Sequence, residues 1–261
     1  MALSPAVWLA GGIAGVLLLA SVIGVVLKAR IAHSQPHAVI DNLNARIRSW
    51  WLIAALCGGS LWAGTLTTFA LFALISLLAL REFLQAPFSV TAQPPIRRWL
   101  TGIVICVLCV AHLPALLTLD IPGYSGRNAY LLLFIVLVAQ ASEVLQYPWG
   151  KWLGKHPITP NTSPSKTIEG FIGGISCATA LGASLWWITP FSMSQAAMIS
   201  LLITVLGFVG GVILSAQKRA RGIKDWSHVI PGHGGVLDRI DSLWLSAPPL
   251  FYIVKFGWAV G

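Results

Sequence analysis

Residues 196–241 are AAMISLLITVLGFVGGVILSAQKRARGIKDWSHVIPGHGGVLDRID, and this stretch decides the fold. Its first part, up to Leu214, contains no charged residue and is long enough to cross the hydrocarbon core of a bilayer as a helix. Its second part, 215–241, holds five of the 17 basic and three of the eight acidic residues of the chain. Such charges are tolerated at a membrane only where they contact water or a ligand. The stretch therefore predicts a membrane helix with a polar site at its end.

The composition of the whole chain agrees with this prediction. Of its 261 residues, 56% are hydrophobic and 10% are charged, and the mean hydropathy is +0.79. These values lie outside the range of soluble globular proteins. The apolar runs are long and do not alternate, and helices satisfy their own backbone groups in lipid. We therefore predict an all-α integral membrane protein, a polytopic helical bundle with about eight transmembrane or re-entrant helices.

The apolar runs place these helices along one membrane domain, 1–261. The predicted spans are 6–27, two short helices within 50–80 that meet near Gly64, 99–119, 130–147, 168–188, 196–216 and 243–260. Residues 1–98 would supply N-terminal helices and 99–261 a catalytic core. Before the second span, Leu43, Ile47, Trp50 and Trp51 recur at helical spacing. They indicate either an interfacial helix or a solvated loop with a tryptophan anchor.

The net charge of +9 is assigned to topology and not to nucleic-acid binding. Basic residues concentrate in the cytoplasmic loops of membrane proteins. This rule places the loops 28–49, 81–98, 148–167 and 217–239 in the cytoplasm and both chain ends outside it. The four cysteines lie in apolar runs and are predicted to pack there. We expect a bacterial inner membrane, with the polar site facing the cytoplasm.

Within 215–241, acids and bases alternate around a glycine-rich turn. Carboxylates can hold a divalent ion while cations neutralise phosphate oxygens, so the pattern indicates a site for an ion that carries phosphates. The glycines allow close approach of the backbone to a ligand. The alternative, that the bases only set topology, does not explain their fixed spacing. The candidate site residues are Ser215, Lys218, Arg219, Lys224, Asp225, His233, Gly234, Gly235, Asp238, Arg239 and Asp241.

This spacing resembles the signature of phosphatidate cytidylyltransferases, also called CDP-diacylglycerol synthases. The matching positions are Ser215, Lys218-Arg219, Lys224-Asp225, Ser227, Ile230-Pro231, His233-Gly234-Gly235-Val236, Asp238-Arg239 and Asp241. The chain is identified on these residues as a divergent member of that family. The resemblance implies transfer of CMP from CTP to phosphatidic acid, with CDP-diacylglycerol and pyrophosphate as products.

The segment 143–170 resembles a second family motif. The matching positions are Tyr147, Gly150-Lys151, Gly154-Lys155, Ser163-Pro164, Lys166-Thr167 and Glu169-Gly170. Ser163 or Thr167 could cap the helix predicted from about residue 168, whose N-terminus would direct N–H groups at a phosphate beside Lys166. We therefore include Ser163, Lys166 and Thr167 among the substrate-binding candidates. The alternative is an ordinary capped helix with a lysine that reaches water.

The chain departs from the family pattern at two carboxylates. Members usually carry Asp and Glu at the places of Gly211 and Leu214, and that Asp shares the metal site with the Asp that matches Asp225. Upstream, Glu143 stands where the family has Asp. We hypothesise that the longer arm of Glu143 compensates for Gly211. The predicted Mg²⁺ ligands are Asp225 and Glu143, with Asp238 and Asp241 as ligands or as holders of the bases, and a second cation is left open.

The partners implied by the resemblance are CTP, phosphatidic acid or a related lipid phosphate, and membrane lipid. A homodimer is left open. Three other interpretations compete: the same chemistry on another lipid phosphate, a member that has lost catalysis and binds lipid or a partner, and an ion transporter that uses Glu143 and His112. For His112, a hydrogen bond to a backbone carbonyl near Pro114 is favoured over a proton or metal site.

Overall fold

The computed structural model describes residues 4–31, 37–87, 95–232 and 234–259. Nearly all regular structure in these ranges is helical, which confirms the predicted all-α membrane architecture. The helices are α1 (Pro5–Arg30), α2 (Ala38–Ala63), α3 (Thr65–Gln85), α4 (Pro95–Ile103), α5 (Val110–Ala115), α6 (Ala129–Leu153), α7 (Ile168–Ser184), α8 (Met193–Ala220) and α9 (Ala247–Gly257). A π-helical stretch, Val104–Cys109, joins α4 and α5 into one segment. Two short strands, β1 (Pro157–Thr159) and β2 (Ser163–Thr167), form an antiparallel hairpin.

Five helical segments of the described ranges are long and apolar enough to cross a membrane: α1, α3, α4–α5, α6 and α8. Helix α7 is apolar but has only 17 residues. The last span, predicted over 243–260, is shorter than expected, since α9 has 11 residues. At 1.5 Å per residue it is about 16 Å long, against about 30 Å of hydrocarbon. The reason is local: turns continue to Ser246, and Pro248 and Pro249 occupy the first turn of the helix.

One compact unit comprises the residues up to Leu71 together with Ser227–Gly235. In it, Asn44 Nδ2 of α2 donates to the Gly24 carbonyl of α1 at 3.3 Å. Helix α2 runs unbroken through Trp50 and Trp51. Of the two interpretations of that segment, a helix or a solvated loop, the helix is therefore confirmed. It ends at Ala63, and the next residue is Gly64, whose φ of +112° suits a residue without a side chain. The predicted meeting point of two helices is therefore confirmed.

The second compact unit comprises Phe72–Trp226 and the residues from Val236 onward. Its centre is the packing of α6, α7 and α8, with Phe134, Ala178 and Ile203 almost fully buried. Helix α7 can approach α6 closely because Gly174 has no side chain. A β-carbon added there would lie 2.7 Å from the backbone nitrogen of Gln146. This approach brings β2, directly before α7, beside the second half of α6.

Two local predictions have different outcomes in the second unit. His112 Nδ1 lies 2.8 Å from the Leu108 carbonyl oxygen, which confirms the backbone-bonded interpretation. The segment 148–167, predicted as a polar loop, is instead partly regular. Helix α6 continues through Pro148 to Leu153, and β1 pairs with β2 across a turn at 160–162. Pro160 and Asn161 in that turn are residue types that favour tight reversals.

Candidate active site

Two carboxylates lie side by side in the second unit. Glu143 extends from α6 and Asp241 from the loop after α8, and their carboxyl groups can share a hydrogen bond when one is protonated. Lys166 of β2 and Arg239 are close enough to act on both. Desolvation by the surrounding protein raises the pKa of Asp241, while the nearby cations oppose that shift. Glu143, Lys166, Arg239 and Asp241 are called the charged cluster below.

Gly211 of α8 faces the charged cluster. A β-carbon added there would lie 3.2 Å from Lys166 Nζ and 3.9 Å from Asp241 Oδ2. The position where the resembled family carries Asp is therefore directed at the cluster, and in this chain it lacks a side chain. Leu214, the second departure, is 0% exposed and lies in the protein interior. The carboxylate that faces Asp241 in this chain is Glu143.

The cluster contains buried polar atoms that have no hydrogen-bond partner among the described residues. They are Asp241 Oδ1 and Arg239 Nε. Buried polar atoms in proteins normally have a hydrogen-bond partner, so an unpaired one needs an explanation. One acceptor and one donor from residues two apart suit a ligand that presents both a cation and phosphate oxygens.

Lys218 and Asp238, both predicted site residues, form a buried ion pair. Lys218 Nζ donates to Asp238 Oδ1 at 2.6 Å, and the two side chains are 9% and 4% exposed. Asp238 Oδ2 accepts a hydrogen bond from the Trp226 backbone N–H at 2.9 Å. Of the two roles predicted for Asp238, these contacts favour that of holding a basic residue. The pair ties the end of α8 to the loop that carries Arg239 and Asp241.

The start of α7 is capped as predicted. Thr167 Oγ1 accepts from Gly170 N at 3.1 Å, while Ser163 lies at the start of β2. Glu169 in the first turn accepts hydrogen bonds from the backbone N–H groups of Lys155 and His156 and contacts His156 Nδ1 at 2.6 Å. Its carboxylate is thus engaged with the segment before the hairpin and not with Glu143.

The remaining charged candidates lie nearer the surface. Arg219 is exposed and donates to the carbonyls of Thr162 and Ile223, and Lys224 is exposed as well. Asp225 is half-buried, with no hydrogen bond or ion pair to another described residue. Ser215 lies on α8 one turn before Lys218 and is half-buried. Among the described charges, those that act on Glu143 are Asp241, Lys166 and Arg239, so Asp225 is not brought next to it.

The glycine-rich turn within Ser227–Gly235, called the glycine turn below, belongs to the first unit and is held by α2. Ile230 N donates to the Gly234 carbonyl at 2.8 Å, and Gly234 has a φ of +79°. Arg46 Nε donates to the Gly232 carbonyl at 2.9 Å, and Ser49 Oγ donates to the Pro231 carbonyl at 2.9 Å. His233 lies outside the described residues. Sequence reasoning missed this role of α2, since Arg46 and Ser49 are separated from the turn by some 180 positions.

Glu82 is a second residue that sequence reasoning missed. It is 7% exposed near the end of α3, and its carboxylate accepts from the backbone N–H groups of Val236 and Leu237, each at 2.9 Å. The available signal was a lone carboxylate at the end of an apolar run, which in a membrane protein is a functional hypothesis by default.

The donor set limits the kind of metal the site can hold. In the described ranges, no group of three or more His, Cys, Asp or Glu residues is placed to bind a metal ion. Glu143 and Asp241 nevertheless present adjacent carboxylates, one of them with an unpaired buried oxygen. Mg²⁺ characteristically uses one or two carboxylates and completes its shell with water and substrate phosphates. The residues present fit such an ion and do not form a closed cage.

Comparison with known proteins places these residues in a family. The sequence model of the cytidylyltransferase family matches residues 87–256, a range that contains the whole charged cluster. An uncharacterized protein of Escherichia coli K12, YnbB, is 40% identical over 158 residues, which are 59% of this chain and 52% of that protein.

Two named relatives come from staphylococci. The phosphatidate cytidylyltransferase of Staphylococcus aureus strain COL is 36% identical over 127 residues, 48% of this chain and 49% of that protein. The phosphatidate cytidylyltransferase of Staphylococcus haemolyticus is 34% identical over 131 residues, 49% of this chain and 50% of that protein. The matched parts span about half the length of these curated relatives. Because the family model matches more than half of the residues of this chain, the chain belongs to the cytidylyltransferase family.

Proposed function

We propose that the chain is an integral membrane nucleotidyltransferase that moves CMP from CTP to phosphatidic acid. The products are CDP-diacylglycerol and pyrophosphate, and the reaction depends on Mg²⁺. The observation that carries the proposal is the charged cluster, which lies inside the family match and joins two carboxylates to two cations. The two staphylococcal relatives, which are phosphatidate cytidylyltransferases, support the choice of nucleotide and lipid.

Glu143 and Asp241 would hold the metal ion, and Asp225 is proposed as a further carboxylate of the site. The unpaired Oδ1 of Asp241 supports this assignment. A bound Mg²⁺ would supply neutralising charge to phosphate oxygens.

The proposed reaction is an attack of a phosphatidic acid phosphate oxygen on the α-phosphorus of CTP. A new P–O bond forms while the bond from the α-phosphorus to its bridging oxygen breaks, and pyrophosphate leaves with that electron pair. The attacking phosphate is already ionised at neutral pH, so no general base is required. The protein's contribution is therefore positioning and charge stabilisation.

The basic residues are proposed to have different roles in binding phosphate, according to where they lie. Lys166 and Arg239 belong to the charged cluster and are proposed to hold the reacting phosphates. Arg219 and Lys224 are exposed, which suits the triphosphate of a nucleotide arriving from water. Lys218 is engaged by Asp238 and is proposed to set the position of the loop. Ser163, Thr167, Ser215, His233, Gly234 and Gly235 are proposed to contact the substrates.

The proposed setting is a bacterial inner membrane with the site facing the cytoplasm. The basic loops support this orientation. Residues 99–261 would form the catalytic part and 1–98 the N-terminal helices of one membrane domain. A homodimer remains a prediction.

The testing experiment measures release of pyrophosphate from CTP by the purified protein in mixed micelles with Mg²⁺, with and without phosphatidic acid. We expect release that requires the lipid, stops with EDTA and vanishes in Asp225→Asn. A panel of other lipid and isoprenoid phosphates tests the acceptor. Release that is independent of every lipid phosphate would overturn the proposal.

A second candidate is a family member that has lost catalysis and binds lipid or a partner. The specific observation that favours it is the loss of two family carboxylates, with Gly211 directed at the cluster and Leu214 buried. It predicts a folded protein that releases no pyrophosphate with any acceptor and that does not bind CTP in calorimetry. The same preparation used above distinguishes the two candidates.

A further inference from the structure

The loop that carries Arg239 and Asp241 of the charged cluster is held from outside the family-matched range. Glu82 of α3 lies before residue 87, where that match begins. Its Oε1 accepts from Val236 N and its Oε2 from Leu237 N, each at 2.9 Å. One carboxylate thus binds two successive backbone N–H groups with both of its oxygens. Such charge-assisted bonds are about twice as strong as neutral ones.

The two N–H groups directly precede the reactive part of the loop. Asp238, Arg239 and Asp241 follow within four residues of Leu237. Leu237 is 0% exposed, so its N–H group cannot turn to water if Glu82 is removed. Farther on, Lys218 and Trp226 N hold Asp238. The loop is therefore fixed at three successive residues, 236–238, directly before Arg239.

The backbone at the end of α3, next to Glu82, is itself held by hydrogen bonds. Arg221, just after α8, donates from Nη1 to the Phe83 carbonyl at 2.8 Å, and its guanidinium carbon lies 4.2 Å from the Phe83 ring centroid. Arg98 Nη2 donates to the Ala86 carbonyl at 3.1 Å. The end of α3 is thus tied to the same helix end that supplies Lys218.

From this geometry we propose that Glu82 is a positioning residue, which sets the 236–241 loop so that Arg239 and Asp241 meet Glu143 and Lys166. The proposal rests on the proposed transfer reaction. Glu82 acts through the backbone and touches no substrate. Because its role is to align the cluster, removing it affects the rate of the chemical step more than the affinity for CTP.

Three variants separate this role from simple stabilisation. Glu82→Gln keeps the shape of the side chain but replaces one acceptor by an NH₂ group, which opposes a backbone N–H. Glu82→Asp keeps both acceptors on a shorter arm. Ser76→Ala is the matched control, because Ser76 is also a buried polar residue of α3, six positions earlier.

The first readout is kinetic, by pyrophosphate release. For Glu82→Gln we expect kcat to fall about tenfold or more, the size of effect that loss of one charge-assisted bond produces. The KM for CTP should change less than threefold, and Glu82→Asp should recover part of kcat. Ser76→Ala should retain the wild-type kcat. An unchanged kcat in Glu82→Gln beside an active wild type would overturn the inference.

The second readout does not need activity. Hydrogen exchange of the Val236 and Leu237 amides, followed by mass spectrometry, should be faster in Glu82→Gln and unchanged in Ser76→Ala. Unchanged exchange in Glu82→Gln would overturn the inference whatever the kinetics. A wild-type protein that releases no pyrophosphate would overturn the proposed function instead, since the exchange arm still reports whether Glu82 holds the loop.

Discussion

A β-carbon added at Gly211 would lie 3.2 Å from Lys166 Nζ, so an acidic side chain at this position would point into the charged cluster. The contact is with the flexible end of a lysine, which can move by a few tenths of an ångström. A β-carbon at position 211 is therefore accommodated once the Lys166 ammonium moves by that amount. Glu143 approaches the same Asp241 from α6.

The compensation hypothesis predicts a rescue. Glu143→Gln should lower Mg²⁺-dependent pyrophosphate release by about 100-fold, because a carboxylate of the proposed metal site is lost. Adding Gly211→Asp to that variant should restore part of the rate. The measurement is the rate of release against Mg²⁺ concentration for the single and double variants. Glu169→Gln serves as the control, since that carboxylate is engaged with Lys155 and His156. Intact metal binding and turnover in Glu143→Gln would show the hypothesis to be wrong.

The buried pair of Lys218 and Asp238 makes a prediction about stability. Asp238→Asn should lower the free energy of unfolding by about 3–5 kcal/mol, because it leaves the Lys218 ammonium buried without its counter-charge. Combining it with Lys218→Met should cost less than Asp238→Asn alone, since no unpaired charge then remains.

Thermal unfolding in detergent micelles measures both variants. Asp41→Asn, at the exposed ion pair with Lys28, is the comparison and should change the midpoint little, since water screens that pair. Equal destabilisation by Asp238→Asn and by the double variant would contradict the assigned role of the pair.

Asp225, in contrast to Asp238, is predicted to be needed for activity and not for stability. It makes no hydrogen bond or ion pair with another residue in the described part of the chain, so Asp225→Asn should leave the unfolding midpoint close to that of the wild type. Pyrophosphate release should nevertheless vanish if Asp225 belongs to the metal site. Measuring both quantities on one preparation separates a functional carboxylate from a structural one. A loss of stability as large as that of Asp238→Asn would argue against this distinction.

The glycine turn yields a prediction about backbone conformation. Gly234 has a φ of +79°, and an L side chain in this region costs about 1–2 kcal/mol. Gly234→Ala should therefore destabilise the turn and reduce pyrophosphate release. Gly59→Ala is the matched control, because Gly59 lies in α2 with nothing within 4 Å of an added β-carbon. That control should be neutral or slightly stabilising, since alanine favours helix. Equal activity of the two variants would remove the turn from the site.

Much of the fold could be predicted from local pattern. Long apolar runs predicted the helices, including two that meet near Gly64. Thr167 was one of two predicted caps for α7 and is the one that accepts from Gly170. The hairpin before α7 was missed, because its three- and five-residue strands are too short to show a periodicity.

The sequence by itself determined the membrane class, the approximate positions of most helices and a set of candidate site residues. These follow from hydropathy, side-chain type and spacing, which are local properties of the chain. Only the tertiary structure decided which charges meet. Asp238 pairs with Lys218, Asp241 lies beside Glu143, and Glu82 reaches a loop some 154 residues away. Each pairing depends on how helices cross, and that geometry arises from packing among residues distant in the sequence.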